Sequence, residues 1–391
     1  MMIKNKKIGL LPLILIAIAL GVLCGLFFPE WAVRIFVTFN GVFSQLLGFF
    51  VPLIILGFVA PAIFGLKGQA GKLLLLTVLL AYFSTVCAGT LSYLTSSTVL
   101  PEIINPSDIS SFEADETDIA PYFALKIPPM IDVIGAIVLA FALGLASASI
   151  KGHTLRDFLV DFKDVIELVI SRLIVPLLPL YIFGIFLNMT ASGTVYTVMS
   201  VFLKVIVLVI AMHLCWLVIL FCIGGIVRKE NPFKLMKTML PSYVTALGTQ
   251  SSVATIPVNL KQVQEIGVNE EVADFVVPLC ANIHLSGSIL QITSFSVALM
   301  ILQQMPYNFG LYIGFILMLA MVVVAAPGVP GGAIMASLGV LSSILGFSPE
   351  DQALMISLYI AVDSFGTATN VTGDGVIAII VDAFRNKKSS L

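Results

Sequence analysis

The chain has 391 residues, of which 59% are hydrophobic and 11% are charged, whereas an ordinary soluble domain carries about 25% charged residues. So few charged side chains cannot cover the surface of a water-soluble globule, which excludes a soluble enzyme and a disordered chain. The net charge of −2 leaves no excess of basic residues to neutralise phosphates, so nucleic acid is excluded as a partner and the lipid bilayer remains.

Long stretches without a charged residue predict the membrane-spanning helices. A helix needs about 20 apolar residues to cross the hydrocarbon core of a bilayer. The first stretch is too long for the apolar part of a signal peptide, so we expect it to stay as a first membrane helix. The charge-free stretches are 8–29, 35–66, 73–101, 133–150, 173–203, 205–227 and 238–260.

The 75 residues from Phe275 to Pro349 contain no charged side chain at all. At about 1.5 Å per residue, one helix of this length would exceed the thickness of a membrane several-fold. The segment must therefore fold back on itself. A last predicted span covers 351–383.

The distribution of lysine and arginine predicts the orientation, because basic residues favour cytoplasmic loops. With a cytoplasmic N-terminus, all basic clusters face the cytoplasm only if 238–260 and part of the 75-residue run are hairpins that enter and leave on one side. The loop around 101–121 is then outside and acidic. The basic clusters are Lys4, Lys6 and Lys7; Lys67 and Lys72; Lys151, Arg156 and Lys163; Arg228, Lys229, Lys234 and Lys237; and Arg385, Lys387 and Lys388. The predicted fold class is an all-α integral membrane protein with eight transmembrane helices plus two re-entrant helical hairpins.

Helix-breaking residues mark the tips of both hairpins. The first tip runs from Gly248 to Pro257 and is rich in serine and threonine, and the second runs from Ala325 to Ala333 with the sequence AAPGVPGGA. Irregular backbone is tolerated at membrane depth only where protein buries it or a wet cavity lies beside it. Two interrupted segments of this kind indicate the substrate site of a transporter. The alternative is a pair of ordinary kinked helices.

Four polar residues of the last span fall on one face of the helix. At about 100° per residue, Asp363, Thr367, Asn370 and Asp374 lie within a stripe roughly 60° wide. Ionisable residues inside a membrane are costly and indicate a functional site. Their oxygens suit a hard cation such as sodium, and we expect Gly373 to loosen the helix and free carbonyl groups for it. A structural network of hydrogen bonds is the alternative.

Histidines and isolated basic residues are the other polar groups in the spans. His284 lies in a polar break, and imidazole titrates near neutral pH, so it is a candidate proton carrier; a neutral histidine bonded across helices is the alternative. His213 is expected to be a packing residue, and Arg172 and Lys204 are expected to snorkel or pair. No nucleophile elbow, phosphate loop, nucleotide fingerprint or metal-hydrolase spacing occurs, so the protein is predicted not to be an enzyme and to need no cofactor.

The last span resembles the final-helix motif of the dicarboxylate/amino acid:cation symporters, the family of the glutamate transporters and their homologues. The motif here is Asp363-x-x-Gly366-Thr367-x-x-Asn370-Val371-Thr372-Gly373-Asp374. The serine-rich first tip, the Gly-Val-Pro-Gly second tip and the eight-span layout extend the resemblance over nearly the whole chain. It implies a homotrimer in the inner (plasma) membrane, with both termini cytoplasmic and an elevator movement of a transport domain.

The resemblance also implies the division into domains. Scaffold helices occupy 1–71 and 127–193, the third span of the transport domain occupies 72–100, and an acidic extracellular loop occupies 101–126. The rest of the transport domain is 194–391, with its sixth helix, hairpin 1 (about 233–260), helix 7 (about 270–304), hairpin 2 (about 309–348) and helix 8 (about 350–384).

By resemblance, Asp363 would bind the amino group of the substrate. Asn370 and the backbone amides near Ser251 and Ser252 would bind its α-carboxylate. The implied substrate-binding residues are Asp363, Thr367, Asn370, Ser251, Ser252, Gly366, Val329 and Gly331. The implied cation-binding residues are Asp374, Asn370, Ser288, His284, Ser286, Thr85 and Tyr82, with sodium at Asp374 and Asn370 and a second ion near the Gly328 tip.

Two departures from the family pattern bear on the substrate and the coupling ion. Members that carry acidic substrates have an arginine where this chain has Gly366, and the first tip offers Gln250 in place of a compensating arginine. A distal carboxylate would then be buried without a partner, at a cost of several kcal/mol. At Ser286 the family has an aspartate, so one sodium site is weakened, or a proton on His284 replaces it.

These observations predict a cation-coupled symporter of a small neutral amino acid, serine or threonine being one option. Sodium is the expected coupling ion, with a proton as the other possibility. One alternative is a carrier of acidic amino acids or dicarboxylates with altered coupling. Another is a channel-like or sensory membrane protein that has lost coupled transport.

Overall fold

The structure is a computed structural model that describes residues 10–65, 71–104, 119–324, 326 and 330–389. Within these ranges the chain forms helices and no strands, which confirms the all-α prediction. Six of the described helical stretches are long and apolar enough to cross a membrane. Their outward faces carry exposed apolar side chains such as Phe83 and Ile226. The count of eight spans with two re-entrant hairpins stays a prediction.

The first half of the chain consists of long apolar helices. These are α1 (Leu10–Gly25), α2 (Glu30–Gly65), α3 (Gly71–Ile103), α4 (Val133–Ser149), α5 (Thr154–Val169), a π-helical turn (Ile170–Ile174), α6 (Val175–Ala191) and α7 (Val195–Arg228). The break in the helix lies not at Lys204, where the charge-free stretches 173–203 and 205–227 meet, but at Gly193, where φ is +87°, next to the expected boundary at 193–194. Lys204 lies inside α7, and its Nζ donates a hydrogen bond to the carbonyl oxygen of Ile103 at 3.0 Å.

The second half is built from shorter helices. These are α8 (Pro232–Thr238), α9 (Leu240–Thr249), α10 (Ser252–Glu265), α11 (Glu270–Ile283), α12 (Ser286–Leu302), α13 (Phe309–Val323), α14 (Gly332–Leu345) and α15 (Pro349–Ser389). The breaks after α9 and α13 coincide with the two predicted tips. At about 1.5 Å per residue, α9 and α10 are each too short to span a bilayer alone. They pack against each other, as do α13 and α14.

The helices pack in two groups. In the first group α1 lies along α6, and α2 contacts α4, α5 and α6. In the second group α12 lies between α3, α7 and α15, while α15 also contacts α9, α10 and α11. The groups meet where α14 contacts α2 and where α15 contacts α6. Because α12 and α15 lie at the centre of the second group, their polar side chains are shielded from lipid.

Two glycines allow the close crossing of α12 and α15. A Cβ atom on Gly287 would lie 2.5 Å from the carbonyl oxygen of Gly366 and 2.8 Å from Cβ of Thr369. A Cβ atom on Gly366 would lie 2.8 Å from Oε1 of Gln291. Small residues at such crossings let the backbones of membrane helices approach closely. The absence of a side chain at Gly366 is therefore part of the helix packing.

We expect Gly287→Ala to destabilise the protein by about 2 kcal/mol, because its methyl group cannot fit without separating α12 from α15. Gly314→Ala in α13 is the control, since an added Cβ there meets nothing within 4 Å. The measurement is the melting temperature of both purified variants in one detergent. Equal melting temperatures would show that the crossing is not tight.

Candidate functional site

Three of the four stripe residues of α15, Asp363, Thr367 and Asn370, line a small pocket between the two short-helix pairs. The pocket has a volume of about 30 Å³, close to that of one water molecule in the liquid. It is too small for any amino acid in this arrangement. Its lining residues are Gln250, Ser252, Ala281, Asn282, Leu285, Ser288, Ala326, Gly332, Ala333, Tyr359, Asp363, Thr367 and Asn370.

Asp363 is the carboxylate of this pocket, and it is 3% exposed. Its Oδ2 accepts a hydrogen bond from the backbone N–H of Gly331 at 2.8 Å, and its Oδ1 accepts one from the hydroxyl of Thr367 at 3.4 Å. Gly331 immediately precedes α14, so the second tip contacts the carboxylate directly. No lysine, arginine or histidine occurs among the described lining residues. The carboxylate is therefore balanced only by neutral donors.

Asn370 holds the start of α12. Its Oδ1 accepts hydrogen bonds from the backbone N–H groups of Gly287 at 2.8 Å and Ser288 at 3.4 Å. Its Nδ2 donates to the hydroxyl of Ser288 at 3.0 Å. The first N–H groups of a helix have no partner within the helix, and here a side chain from another helix supplies one. One Nδ2 hydrogen of Asn370 remains for a ligand in the pocket.

A buried chain of hydrogen bonds connects α3, the break before α12, and α15. The Nδ1 atom of His284 lies 2.9 Å from Oδ1 of Asp374, and its Nε2 lies 2.9 Å from the hydroxyl oxygen of Ser84. The side chains of His284 and Asp374 are both almost fully buried. The structure thus shows histidine bonded across helices, which was one of the two interpretations of His284. The proton-carrying role stays a prediction.

Three buried oxygens beside this chain of hydrogen bonds have no hydrogen-bond partner among the described residues. They are Oδ2 of Asp374, the hydroxyl of Ser286 and the hydroxyl of Thr85. A buried oxygen without a partner is costly and uncommon. The expectation that α15 loosens at Gly373 is wrong, since the helix is continuous there. Gly373 instead leaves room for His284, because a Cβ atom on it would lie 2.9 Å from the imidazole Cε1.

The other predicted site residues fall in different surroundings. The hydroxyl of Ser251 caps α10 by accepting from the N–H of Ala254 at 3.2 Å, while its neighbour Ser252 lines the pocket. The hydroxyl of Tyr82 donates to the carbonyl oxygen of Leu317 on α13 at 3.0 Å. Gly366 packs against the side chain of Gln291 at the crossing of α12 and α15. Val329 and Gly328 lie outside the described residues.

His213 occupies a packed position on α7. It is fully buried, and its Nε2 lies 3.0 Å from the carbonyl oxygen of Gly287. The contact joins α7 to the start of α12, next to the backbone N–H group of Gly287, which donates to Asn370. His213 therefore helps to position the break in the backbone and does not contact the pocket lining in this arrangement.

Sequence reasoning missed three residues of this region. The hydroxyl of Tyr359 lines the pocket and donates to the hydroxyl of Ser288 at 3.0 Å. Tyr359 precedes Asp363 by one helical turn, so the periodicity of the stripe could have found it. Gln291 and Ser84 stand in apolar runs without any local signal, and only the packing of α12 against α3 and α15 shows their position.

Comparison with known proteins identifies relatives of this chain. The model of the "Sodium:dicarboxylate symporter family" matches residues 10–384. The "Serine/threonine transporter SstT" of Acinetobacter baumannii (strain AYE) is 28% identical over 409 residues, which cover 98% of this chain and 99% of the relative.

Animal proteins match over a shorter region. The "Excitatory amino acid transporter 1" of Rattus norvegicus is 26% identical over 258 residues, covering 64% of this chain and 47% of the relative. The "Excitatory amino acid transporter" of Caenorhabditis elegans is 25% identical over 295 residues, covering 72% and 57%. The chain thus spans about half the length of these animal relatives.

We expect His284→Ala to destabilise the protein by about 3 kcal/mol, because it leaves Asp374 and Ser84 buried without their partner. Adding Asp374→Asn to this variant should recover part of the loss, since the charge buried at position 374 is then removed. The measurement is thermal unfolding in detergent, with His153→Ala as the control at an exposed histidine. A double variant no more stable than the single one would contradict a coupled pair.

Proposed function

Because the chain belongs to the sodium:dicarboxylate symporter family, we propose that this multi-pass membrane protein is a cation-coupled symporter of a small neutral amino acid. The family is one of transporters and not of enzymes. The observation that carries the proposal is the pocket on α15, which holds one buried carboxylate and, among its described lining residues, no basic side chain. The inner (plasma) membrane, with both termini in the cytoplasm, is the proposed location.

Asp363 is the proposed partner of the substrate's amino group. A buried carboxylate is stable when a cation or several donors satisfy it, and an ammonium group supplies both a charge and hydrogen bonds. In this arrangement the N–H of Gly331 occupies Oδ2 of Asp363. An entering amino acid would replace this contact and move the second tip away from α15, which also enlarges the pocket.

The lack of a basic side chain supports a neutral substrate. The carboxylate attached to the α-carbon has donors in Asn370 and in the backbone amides around Ser252, at the start of α10. A second carboxylate on the substrate would find no cation among the described lining residues and would be buried at a cost of several kcal/mol. The name of the bacterial relative, a serine/threonine transporter, agrees with this proposal.

Sodium is the proposed coupling ion and would be carried as a second substrate. Oδ2 of Asp374 and the hydroxyls of Ser286 and Thr85 are buried oxygens without a partner in the described part of the chain, and oxygen ligands of this kind suit a hard cation. Asn370 joins them at the start of α12, next to Ser288. A proton on His284 is the second candidate, favoured by its contact with Asp374.

The two groups of helices are the proposed mechanical parts. The first group (α1, α2 and α4–α6) would act as scaffold, and the second (α3 and α7–α15) would carry substrate and ion across the membrane by an elevator movement. This division follows the contacts within each group and the predicted boundaries at 71–72 and 193–194. A homotrimer is proposed from family resemblance.

Uptake into proteoliposomes tests the transport proposal. With sodium and pH gradients imposed separately, we expect accumulation of labelled serine, threonine or alanine under an inward sodium gradient, at least about tenfold above the level without a gradient. Dependence on the pH gradient alone would assign coupling to the proton. Preferred accumulation of aspartate would contradict the neutral substrate, and no accumulation of any amino acid would favour a channel or a sensor.

Asp363→Asn tests the amine partner. The change removes the negative charge and keeps the shape, so we expect amino-acid binding to weaken by about a hundredfold or more, as for loss of a charged hydrogen bond. Glu350→Gln, an exposed carboxylate at the start of the same helix, is the control. Binding of serine to purified protein in detergent is the measurement. Unchanged affinity in Asp363→Asn would show that the amine binds elsewhere.

A further inference from the structure

Tyr359 and Gln291 lie together at the Asp363 end of the pocket. The hydroxyl of Tyr359 donates to Ser288 and also lies close to both the carboxylate of Asp363 and the side-chain amide of Gln291. Along α15, Tyr359 stands one turn from Asp363, on the side away from Asn370. A substrate with its carboxylate near Asn370 and its amine at Asp363 therefore directs its side chain toward this end.

Gln291 is a fully buried amide with unused hydrogen-bonding capacity. Its exposure is 0%, and neither Oε1 nor Nε2 makes a hydrogen bond of good geometry among the described residues, although the hydroxyl of Tyr359 lies close by. Both atoms lie against Gly366, since a Cβ atom there would be 2.8 Å from Oε1 and 3.0 Å from Nε2. Buried side-chain amides are normally satisfied, so an unsatisfied one beside a ligand pocket indicates a group that the ligand completes.

The chemistry of the amide matches a hydroxyl. A carboxamide has a donor and an acceptor next to each other, and a hydroxyl both accepts and donates. A carboxylate has no proton to offer to Oε1, and a methyl group satisfies neither atom. Gln291 lies just behind the lining of the present pocket, and that pocket must widen to admit any amino acid. Widening beside Tyr359 would expose the amide to the substrate.

We propose that Gln291 and Tyr359 form the subsite that selects an amino acid with a hydroxyl-bearing side chain over one with an apolar side chain of similar size. The inference rests on the proposed function and names its substrate class, with serine and threonine favoured over alanine. Discrimination arises because a substrate lacking the hydroxyl leaves buried polar atoms of the site unpaired. Tyr359 contributes a hydrogen bond beside the amide of Gln291.

Competition binding tests the proposal on the full-length protein. Labelled serine and labelled alanine are bound to purified protein in detergent at saturating sodium, with unlabelled serine, threonine and alanine as competitors. We expect serine to bind about tenfold or more tighter than alanine, the factor of one neutral hydrogen bond. In Gln291→Met, a change of similar shape, the ratio of the two affinities should fall toward one. Tyr359→Phe should also lower this ratio toward one.

Thr293→Val is the matched control, because the hydroxyl of Thr293 is another buried polar group of α12 that has no partner in the described part of the chain. It stands two residues from Gln291, on roughly the opposite face of the helix, and the ratio should not change. Alanine binding in Gln291→Met reports that the pocket still forms. An unchanged ratio in Gln291→Met, or equal affinities in the unaltered protein, overturns the subsite and leaves the proposed function standing. If the unaltered protein binds no amino acid at all, the proposed function itself fails.

Discussion

The hydrogen bonds that backbone N–H groups in the first turn of α12 donate to Asn370 are the interaction on which the site depends. A break in a helix inside a membrane leaves donors without water, so another part of the protein must accept them. Asn370 does this for Gly287 and Ser288, and the close approach of Gly287 to Gly366 brings the two backbones near enough. Without this contact, neither the irregular segment at His284 nor the stripe of α15 would keep its position.

Polar chemistry is concentrated where the helices are interrupted. His284 can reach both α3 and α15 because it stands in the irregular backbone between α11 and α12. Asp363 can bind the second tip because the chain before α14 offers a free N–H at Gly331. A continuous helix uses its own backbone groups internally, whereas each interruption releases donors and acceptors. The protein thus brings the polar side chains of the continuous helix α15 against the points where other helices are interrupted.

Regular features of the site could be predicted from the sequence, and packed features could not. The stripe from Asp363 to Asp374 follows from helical periodicity, and the breaks at Gln250 and before Gly331 follow from the chemistry of small and helix-breaking residues. Charge-free stretches alone put a boundary at Lys204, which lies within α7 and donates a hydrogen bond to the carbonyl oxygen of Ile103. Nothing local to Gln291 indicates a functional residue, since its surroundings are made by another helix. The reason for glycine at position 366 likewise appears only when α12 is packed against α15.

A second and larger cavity, of about 410 Å³, lies between the two groups of helices, beside α2, α6 and the start of α15. Tyr181 stands at its edge, with its hydroxyl 2.7 Å from that of Ser44 and donating to the carbonyl oxygen of Pro349 at 3.3 Å. Atoms that face a void forgo dispersion contacts with the opposite surface. The two groups of helices therefore interlock less across this gap than a filled boundary would, which suits the sliding movement proposed above.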